Sequence, residues 1–466
     1  MPKPDVWTPN RRTLLKGSAA LAGLFAASPL LAACGGGDSG MQQLRLTTDE
    51  NDPDTVKFYE SVIASFTELH QDIDVDLVIT ATTPLQKQLS AFATGADMGV
   101  FVPVDDRIAS WAKEGYLLPL NDMINEIGAD DFLPGTRFVM DGNDYTMPYQ
   151  NNSMVFWYRK DLFDQAGLPI PTSYDELLNA AKELTRDNMY GIGLPIGTAE
   201  AITANWLVPF IYQSGWDYFD REGNITFDQP EVRDAVKRYT DLAAYSPPSL
   251  RGSALQRDCI DAYVSGRVAI GVYVGRMGLS LAKDAPQIAA NTVVGNMPVG
   301  PFMTGQLHRG SRNDYAIHKA TKMPKESMDF LKYMTTGQNG LDFSLVLAGH
   351  ALSPLKSVLD QTLTAPNEYV IDHQDWLKPM IDNLPNTMAP FRDMGSVNNG
   401  TFERINNPMP WAAEALGGDA PIDGLMMQKI ALKGESVDSA WQEAASQLKS
   451  VSETWKKENP DWVPAG

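Results

Sequence analysis

Residue types that can perform catalysis occur in this 466-residue chain, but their spacing matches no catalytic pattern. The sequence has no G-x-S-x-G, H-E-x-x-H or C-x-x-C motif and no phosphate-binding glycine loop. Two-carboxylate glycoside hydrolysis stays open, because carboxylates are numerous, but no motif supports it. The histidines are scattered without the spacing of a metal-ligand pair: His70, His308, His318, His350 and His373. We therefore predict a binding protein without a cofactor or metal ion.

The charge balance restricts the possible partners. The chain has 38 Lys and Arg against 58 Asp and Glu, which gives a formal net charge of −20. Such an acidic chain is a poor match for a nucleic-acid backbone. The hydrophobic fraction of 43% is typical of globular proteins, and the length predicts two or three domains.

The elements that would position a binding site alternate between strands and helices. Leu44 to Thr47 is a candidate strand, Pro53 can open a helix after Asp52, and alternating apolar residues predict a strand over 73–79. A second α/β pattern follows, in which Ser173 and Glu176 have the spacing of a capping box. This order favours two α/β units with mainly parallel sheets, and ligands prefer the cleft between such units.

The first residues have the layout of an export signal. A basic stretch with Arg11-Arg12 is followed by an apolar segment and by LAAC, which ends at Cys34. We predict a signal peptide over 1–33 that resembles twin-arginine signals, with an ordinary secretory signal as the alternative. Cys34 is predicted to be lipidated and to anchor the protein outside the cell membrane through a flexible linker over 34–41. Cys259 would then be an unpaired, buried thiol.

Several segments resemble one protein family in their order along the chain. They are TGADMGVFVPVDDRIASWAKEGYLLPL (94–120), DYTMPYQNNSMVFWYRKDLFDQAGLPIPTSYDELLNAAKELT (144–185), SGRVAIGVYVGRMG (265–278), NMPVGP (296–301), AIHKATKMPKESMDFLKYMTT (316–336) and ALKGESVDSAWQEA (431–444). Together with the LAAC box, this set resembles the extracellular solute-binding proteins of bacterial ABC importers, in the carbohydrate-binding group that includes maltose-binding protein.

The resemblance implies a two-lobed periplasmic-binding-protein fold with a mainly parallel sheet in each lobe. Lobe 1 is expected over 42–149 plus 310–353, and lobe 2 over 150–309 plus 354–466. The chain would cross between the lobes near residues 149–150, 308–312 and 352–355. A sugar would bind between the lobes of a monomer and favour their closure, which the membrane permease would recognise.

The resemblance also implies a set of ligand contacts made by polar and aromatic side chains. They are Asp49 after the first strand, the pair Asp106 and Arg107, Gln150 and Asn152 at the first crossing, and Trp206 in the pocket wall.

The sequence departs from the family pattern after the strand AIGVYVG, where Arg276 follows Gly275 in place of a sugar-stacking tryptophan. Arg276 and Arg312 could bind an acidic or phosphorylated ligand, so an acidic sugar and a glycerol-phosphate-type ligand stay open as alternatives. A polyamine stays open as well, because the chain contains many carboxylates that could bind a cation. Trp411 and Trp216 are further candidates for stacking on a sugar.

Overall fold

The computed structural model describes residues 41–80, 85–104, 107–303, 305–418 and 420–464. The predicted signal peptide, Cys34 and Asp106 lie outside the described residues. Within those ranges, every helix is too short or too polar to cross a lipid bilayer.

The strands are β1 (Gln42–Thr48), β2 (Ile73–Ile79), β3 (Val100–Phe101), β4 (Val139–Met140), β5 (Asn143–Asp144), β6 (Met147–Asn151), β7 (Val155–Arg159), β8 (Tyr190–Ile192), β9 (Val268–Tyr273), β10 (Thr292–Gly295), β11 (His308–Arg309), β12 (Arg312–Ile317), β13 (Thr387–Met388), β14 (Val397–Asn398) and β15 (Thr401–Phe402). The helices are α1 (Pro53–Leu69), α2 (Leu85–Thr94), α3 (Ile108–Lys113), α4 (Asn121–Ile127), α5 (Lys160–Ala166), α6 (Tyr174–Leu184), α7 (Ile202–Gln213), α8 (Pro230–Ala243), α9 (Gln256–Val264), α10 (Arg276–Asp284), α11 (Pro286–Ala289), α12 (Pro324–Thr335), α13 (Gly337–Val346), α14 (Lys356–Thr362), α15 (Glu368–Asp372), α16 (Gln374–Asn383), α17 (Pro410–Gly417), α18 (Ile422–Lys433) and α19 (Val437–Glu458). Short 3-10 helices cover Ala129–Asp131, Ala199–Ala201, Pro248–Leu250 and Leu384–Asn386.

Lobe 1 is built on a five-stranded sheet with the order β2-β1-β3-β12-β6. Strand β1 pairs in parallel with β2 and β3, whereas β12 is antiparallel to both β3 and β6. Four strands therefore share one direction, and β12 runs against them. Leu44 and Leu46 of β1 are buried between more exposed residues, and helix α1 packs Phe58, Tyr59 and Phe66 into the same core.

Lobe 2 is built on a four-stranded sheet with the order β10-β7-β9-β8. Strand β7 is antiparallel to β9 and β10, whereas β8 is parallel to β9, so one strand again opposes the rest. All six residues of β9 are buried, as expected for a strand covered on both faces. Helix α7 is buried along its whole length. The two sheets confirm the predicted α/β fold but correct the expectation of mainly parallel sheets. Both sheets are mixed, and four of their seven strand pairings are antiparallel, because β7 and β12 each run between neighbours of the opposite direction.

Two predicted helix starts have different outcomes. The capping box of α6 is confirmed, because Ser173 Oγ accepts a hydrogen bond from the Glu176 amide at 3.3 Å and Glu176 Oε2 accepts one from the Ser173 amide at 3.2 Å. Asp52 does precede Pro53 at the start of α1, but its carboxylate accepts no capping hydrogen bond. That carboxylate instead pairs with Arg276 of lobe 2.

The segments that connect the lobes are hydrogen-bonded to one another. Asn151 and Leu352 exchange backbone hydrogen bonds of 2.7 and 2.9 Å, and the Asn152 amide donates to the Ser311 carbonyl at 3.1 Å. These contacts bring the three predicted crossing regions side by side.

Helix α14 differs from the prediction, which placed it in lobe 2. Lys356 Nζ donates to the Asp130 carbonyl at 2.6 Å, and the Ser357 amide donates to Asp131 Oδ1 at 2.8 Å. Val358 belongs to the hydrophobic core of lobe 1, which explains why the helix stays on that side. The chain contacts the second sheet further along, where Trp376 Nε1 donates to the Thr292 carbonyl at 3.2 Å.

Candidate functional site

The loop between β1 and α1 provides a group of carboxylates at the end of the first sheet. Asp49, Glu50 and Asp52 follow the strand directly, and the Glu50 amide donates to Thr48 Oγ1 at 3.2 Å. Burial raises the pKa of Glu50 to about 7; the positive charge of Arg276 opposes this rise, and Asp49 and Asp52 add to it. Glu50 is thus a carboxyl group that can accept or donate a hydrogen bond near neutral pH.

Lobe 2 places Arg276 opposite this loop. Arg276 is the first residue of α10, directly after β9, and its guanidinium pairs with the carboxylate of Asp52. The turn before it needs glycine, because a Cβ on Gly275 would lie 2.2 Å from the carbonyl carbon of Gly349. The close approach of these two glycines holds Arg276 beside the third crossing.

A second arginine comes from the second crossing. Arg309 Nη2 donates to Asn205 Oδ1 of α7 at 2.7 Å, and Arg309 makes no ion pair with any carboxylate in the part of the chain that the structure describes. Burial lowers the pKa of Arg309 to about 10.

His350 lies near both arginines. Burial lowers the pKa of His350 to about 3, and the positive charges of Arg276 and Arg309 contribute to this decrease, so His350 is neutral at physiological pH.

Aromatic rings form a wall beside the two arginines. The rings of Trp206 and Tyr273 stack at 5.5 Å between centroids, and Trp206 Nε1 donates to the Val272 carbonyl at 3.0 Å. Trp206 is only 1% exposed, so it supports Tyr273 from behind. The Tyr273 hydroxyl donates to Gln256 Oε1 at 3.0 Å, and Tyr273 interacts electrostatically with both arginines.

Three buried tyrosines lie behind the carboxylate loop. The hydroxyls of Tyr59 and Tyr315 are 2.8 Å apart, and the rings of Tyr149 and Tyr315 stack at 4.2 Å. Glu50 interacts electrostatically with all three phenol groups. The Tyr149 hydroxyl has no hydrogen-bond partner among the described residues. The loop is therefore packed against buried aromatic side chains.

A groove of about 980 Å³ opens next to the ion pair of Arg276 and Asp52, which both line it. Leu347 contributes to its wall from lobe 1, and Tyr369 and Trp376 contribute from lobe 2. Because both lobes line the groove, its width depends on how far the lobes are closed.

The two amide residues predicted at the first crossing are buried. Asn152 Nδ2 donates to Ser311 Oγ at 2.5 Å, and Asn152 Oδ1 accepts from the Ser311 amide at 2.8 Å. Both ends of this side chain thus connect the first crossing to the second. Gln150 is 1% exposed, and its Oε1 has no partner among the described residues.

Arg312 lies outside the group formed by Glu50, Arg276 and Arg309. Its guanidinium is buried, donates to the Gly135 carbonyl and pairs with Asp393 Oδ1 at 3.3 Å. Arg392 pairs with Asp314 at 2.9 Å in the same buried cluster. The prediction that Arg312 meets the ligand is corrected here, because its charge is compensated inside the protein.

Trp411 also has a structural position. Its ring is fully buried and contacts Trp462 at 4.9 Å and Trp455 at 5.1 Å between centroids, so no face is open for a sugar. Trp216 is partly buried against the lobe 2 core. Arg107 is exposed just before α3, and its predicted partner Asp106 lies outside the described residues.

Four residues of this site were not predicted from the sequence as ligand contacts: Glu50, Tyr273, Arg309 and His350. Glu50 is adjacent to the predicted Asp49, and Arg309 lies inside the predicted second crossing. Nearness in sequence to a predicted contact was the available signal for Glu50 and Arg309. Residue type alone did not distinguish any of the four residues.

Polar side chains from both lobes lie opposite each other, and this arrangement is typical of a two-lobed binding protein. The model of the bacterial extracellular solute-binding protein family matches residues 51–340, more than half of the chain, and the chain belongs to this family. The chain is 28% identical over 265 residues to the mannitol-binding protein of Pseudomonas aeruginosa, covering 54% of this chain and 58% of that protein. It is 26% identical over 295 residues to YcjN of Escherichia coli, provisionally named an ABC transporter periplasmic-binding protein, covering 61% of this chain and 65% of that one. The chain thus spans less than two thirds of both relatives.

Solved structures share the fold at lower sequence identity. The GacH receptor of Streptomyces glaucescens has a TM-score of 0.69 at 20% identity, covering 89% of this chain and 99% of that chain. A solute-binding protein of Agrobacterium vitis with bound D-mannitol has a TM-score of 0.68 at 20% identity, covering 91% and 100%. These matches confirm the predicted two-lobed fold.

Proposed function

We propose that this protein captures a sugar between its lobes and delivers it to the permease of an ABC importer. Membership in the solute-binding family supports this proposal, and relatives are named for mannitol and maltodextrin binding. The observation that carries it is the convergence of Glu50 from lobe 1, Arg276 from lobe 2 and Arg309 from a crossing. Carboxylates accept hydrogen bonds from sugar hydroxyls, guanidinium groups donate to them, and aromatic rings cover C–H faces.

The proposed mechanism is closure without bond making. A ligand that contacts Asp49 or Glu50 on one side and Arg276 or Tyr273 on the other favours the closed arrangement, because those contacts are lost on opening. The permease would recognise the closed lobes. The predicted ligand contacts Asp106 and Arg107 remain proposals, and the lobe boundaries are proposed as predicted except that α14 belongs to lobe 1.

Isothermal titration calorimetry of the purified protein against neutral mono- and oligosaccharides and sugar alcohols tests sugar binding. Micromolar affinity corresponds to about −8 kcal/mol. Tyr273→Ala should weaken binding about tenfold, whereas Tyr333→Ala, which truncates a half-buried tyrosine of α12 outside the site, should leave it unchanged. Absence of heat with every saccharide contradicts the proposal. So does chromatographic detection of cleaved oligosaccharide, which would indicate a hydrolase.

We further propose that the protein is exported and held at the outer face of the membrane by a lipid on Cys34. Metabolic labelling with a radioactive fatty acid should label the wild type, and Cys34→Ser should release unlabelled protein into the soluble fraction. Cys259→Ser is the matched control, since that thiol is buried. Equal labelling of the wild type and the Cys34→Ser variant would disprove lipidation at this position. Replacing Arg11-Arg12 with lysines tests the twin-arginine route.

A further inference from the structure

We infer that the ligand of this site carries a carboxylate group that binds Arg309, so the substrate class is an acidic sugar such as a uronate. This inference rests on the proposed sugar-binding function and specifies the ligand of the same site. The sequence suggested Arg276 and Arg312 as anion-binding residues, but Arg276 is paired with Asp52 and Arg312 with Asp393. Arg309 is the arginine of the site whose charge is left uncompensated among the described residues.

The surroundings of Arg309 contain polar groups, but no carboxylate in the part of the chain described forms an ion pair with it. Its guanidinium donates to the neutral amide of Asn205, and its Nε is buried without a hydrogen-bond partner. The phenols of Tyr212 and Tyr273 interact electrostatically with its charge. The Tyr212 hydroxyl is itself buried without a partner in the same described ranges. A charge that is partly removed from water and lacks an ion-pair partner is costly, and a ligand anion would offset that cost.

The electrostatic field supports the same placement. His350 lies close enough to both Arg276 and Arg309 for their charges to oppose its protonation. The site is therefore positive at the crossings. At the other end, Glu50 interacts with Asp49 and Asp52, so that end is acidic. A ligand with a carboxylate at one end and hydroxyl groups at the other matches this polarity.

The geometry of a guanidinium favours a carboxylate over a phosphate at this position. The planar fork of arginine can donate two parallel hydrogen bonds to a planar carboxylate, which carries a single negative charge. A phosphate monoester carries a charge of nearly −2 and would need more than one uncompensated cation. Arg276 does not provide the second one, because its charge is paired with Asp52.

Calorimetry of the full protein at pH 7.5 with D-glucuronate and D-galacturonate tests this inference against D-glucose and D-galactose. A uronate should bind at least about tenfold more tightly than its neutral counterpart, and the difference should shrink as salt is added. Arg309→Gln should weaken uronate binding on the order of 10- to 100-fold, a larger loss than the same variant causes for the neutral sugars. Arg309→Lys should restore part of the preference. Arg267→Gln, at an exposed position just before β9, removes the same charge outside the site and should have no effect.

A second variant covers the case in which Arg309→Gln does not fold. Asn205→Asp is nearly isosteric and places a carboxylate on Arg309, so it should abolish the uronate preference and retain neutral-sugar binding. Neutral sugars that bind the wild type as tightly as uronates would overturn the inference and leave sugar binding intact. Tighter binding of glucose 6-phosphate than of either uronate would overturn it as well. No heat with any of these sugars would instead reject the proposed function.

Discussion

At the scale of single residues, Glu50 shows how a binding site reduces stability. Its carboxyl group is held in a crowded loop beside Asp49 and Asp52, with Arg276 as the nearby positive charge. Burial raises its pKa from the usual 4.5 to about 7. Between these pH values the folded protein binds more protons than the unfolded chain, so its stability decreases as the pH rises through this window.

Glu50→Gln should therefore stabilise the unliganded protein at high pH. We expect the free energy of unfolding to increase by about 1–2 kcal/mol at pH 8, and the difference from the wild type to vanish near pH 4. Urea denaturation at both pH values measures this change. The exposed Glu60→Gln on α1 is the control and should show no such dependence. If Glu50→Gln leaves the protein no more stable than the wild type at pH 8, this account of Glu50 is wrong.

At the scale of elements, the crossings are packed too closely to accept extra atoms. A Cβ on Gly310 would lie 1.8 Å from the Asn152 carbonyl oxygen and 2.4 Å from Thr387 Cγ2. The first and second crossings therefore approach each other at backbone distance. The same elements carry Arg309 and Asn152, so their spacing sets the geometry of the site.

Gly310→Ala should disrupt this contact. We expect a loss of about 3 kcal/mol in the free energy of unfolding, because backbone atoms must move to admit the methyl group. Gly305→Ala is a matched control in the preceding loop, where a Cβ would meet no atom of the described residues within 4 Å. Denaturation curves of Gly310→Ala and Gly305→Ala measure this difference in the free energy of unfolding. Equal stability of the two variants would show that the backbone at the crossing can move to admit the methyl group.

The segment before β14 is attached to β12 by buried ion pairs. Asp393 accepts a hydrogen bond from the Ala389 amide at 2.9 Å and pairs with Arg312 at 3.3 Å. Asp393→Asn should lower the free energy of unfolding by about 3–5 kcal/mol, since it leaves a buried guanidinium uncompensated. The exposed Asp382→Asn, which breaks a surface pair with Lys378, should cost less than about 1 kcal/mol. A similar cost for both variants would mean that the buried pair contributes little.

At the scale of the whole molecule, the pair of Arg276 and Asp52 links the two lobes directly. The side chains are 29% and 38% exposed, so water and salt screen this pair and its contribution is small. A weak interlobe contact suits a protein that must open to release its ligand. Closure then depends mainly on the ligand.

Asp52→Asn should shift the unliganded protein toward the open arrangement. We expect a larger radius of gyration in small-angle X-ray scattering and a ligand affinity reduced by about fivefold, which corresponds to about 1 kcal/mol. The control is Asp76→Asn, which removes a similarly exposed pair with Arg45 inside lobe 1. If both variants scatter like the wild type, the interlobe pair does not influence closure.

Local patterns were enough to predict the strand over 73–79, the capping box of Ser173 and the α/β order, because hydrophobic periodicity and capping depend on neighbours in sequence. The ordered segments also indicated the family. The contacts of single side chains depend instead on residues far along the chain. Trp411 lies in the core because Trp455 and Trp462 pack on it, and the charge of Arg312 is compensated by Asp393. Arg309 lies in the site because the fold places it beside Asn205, and it has no counter-ion among the described residues. No local sequence pattern reveals this position.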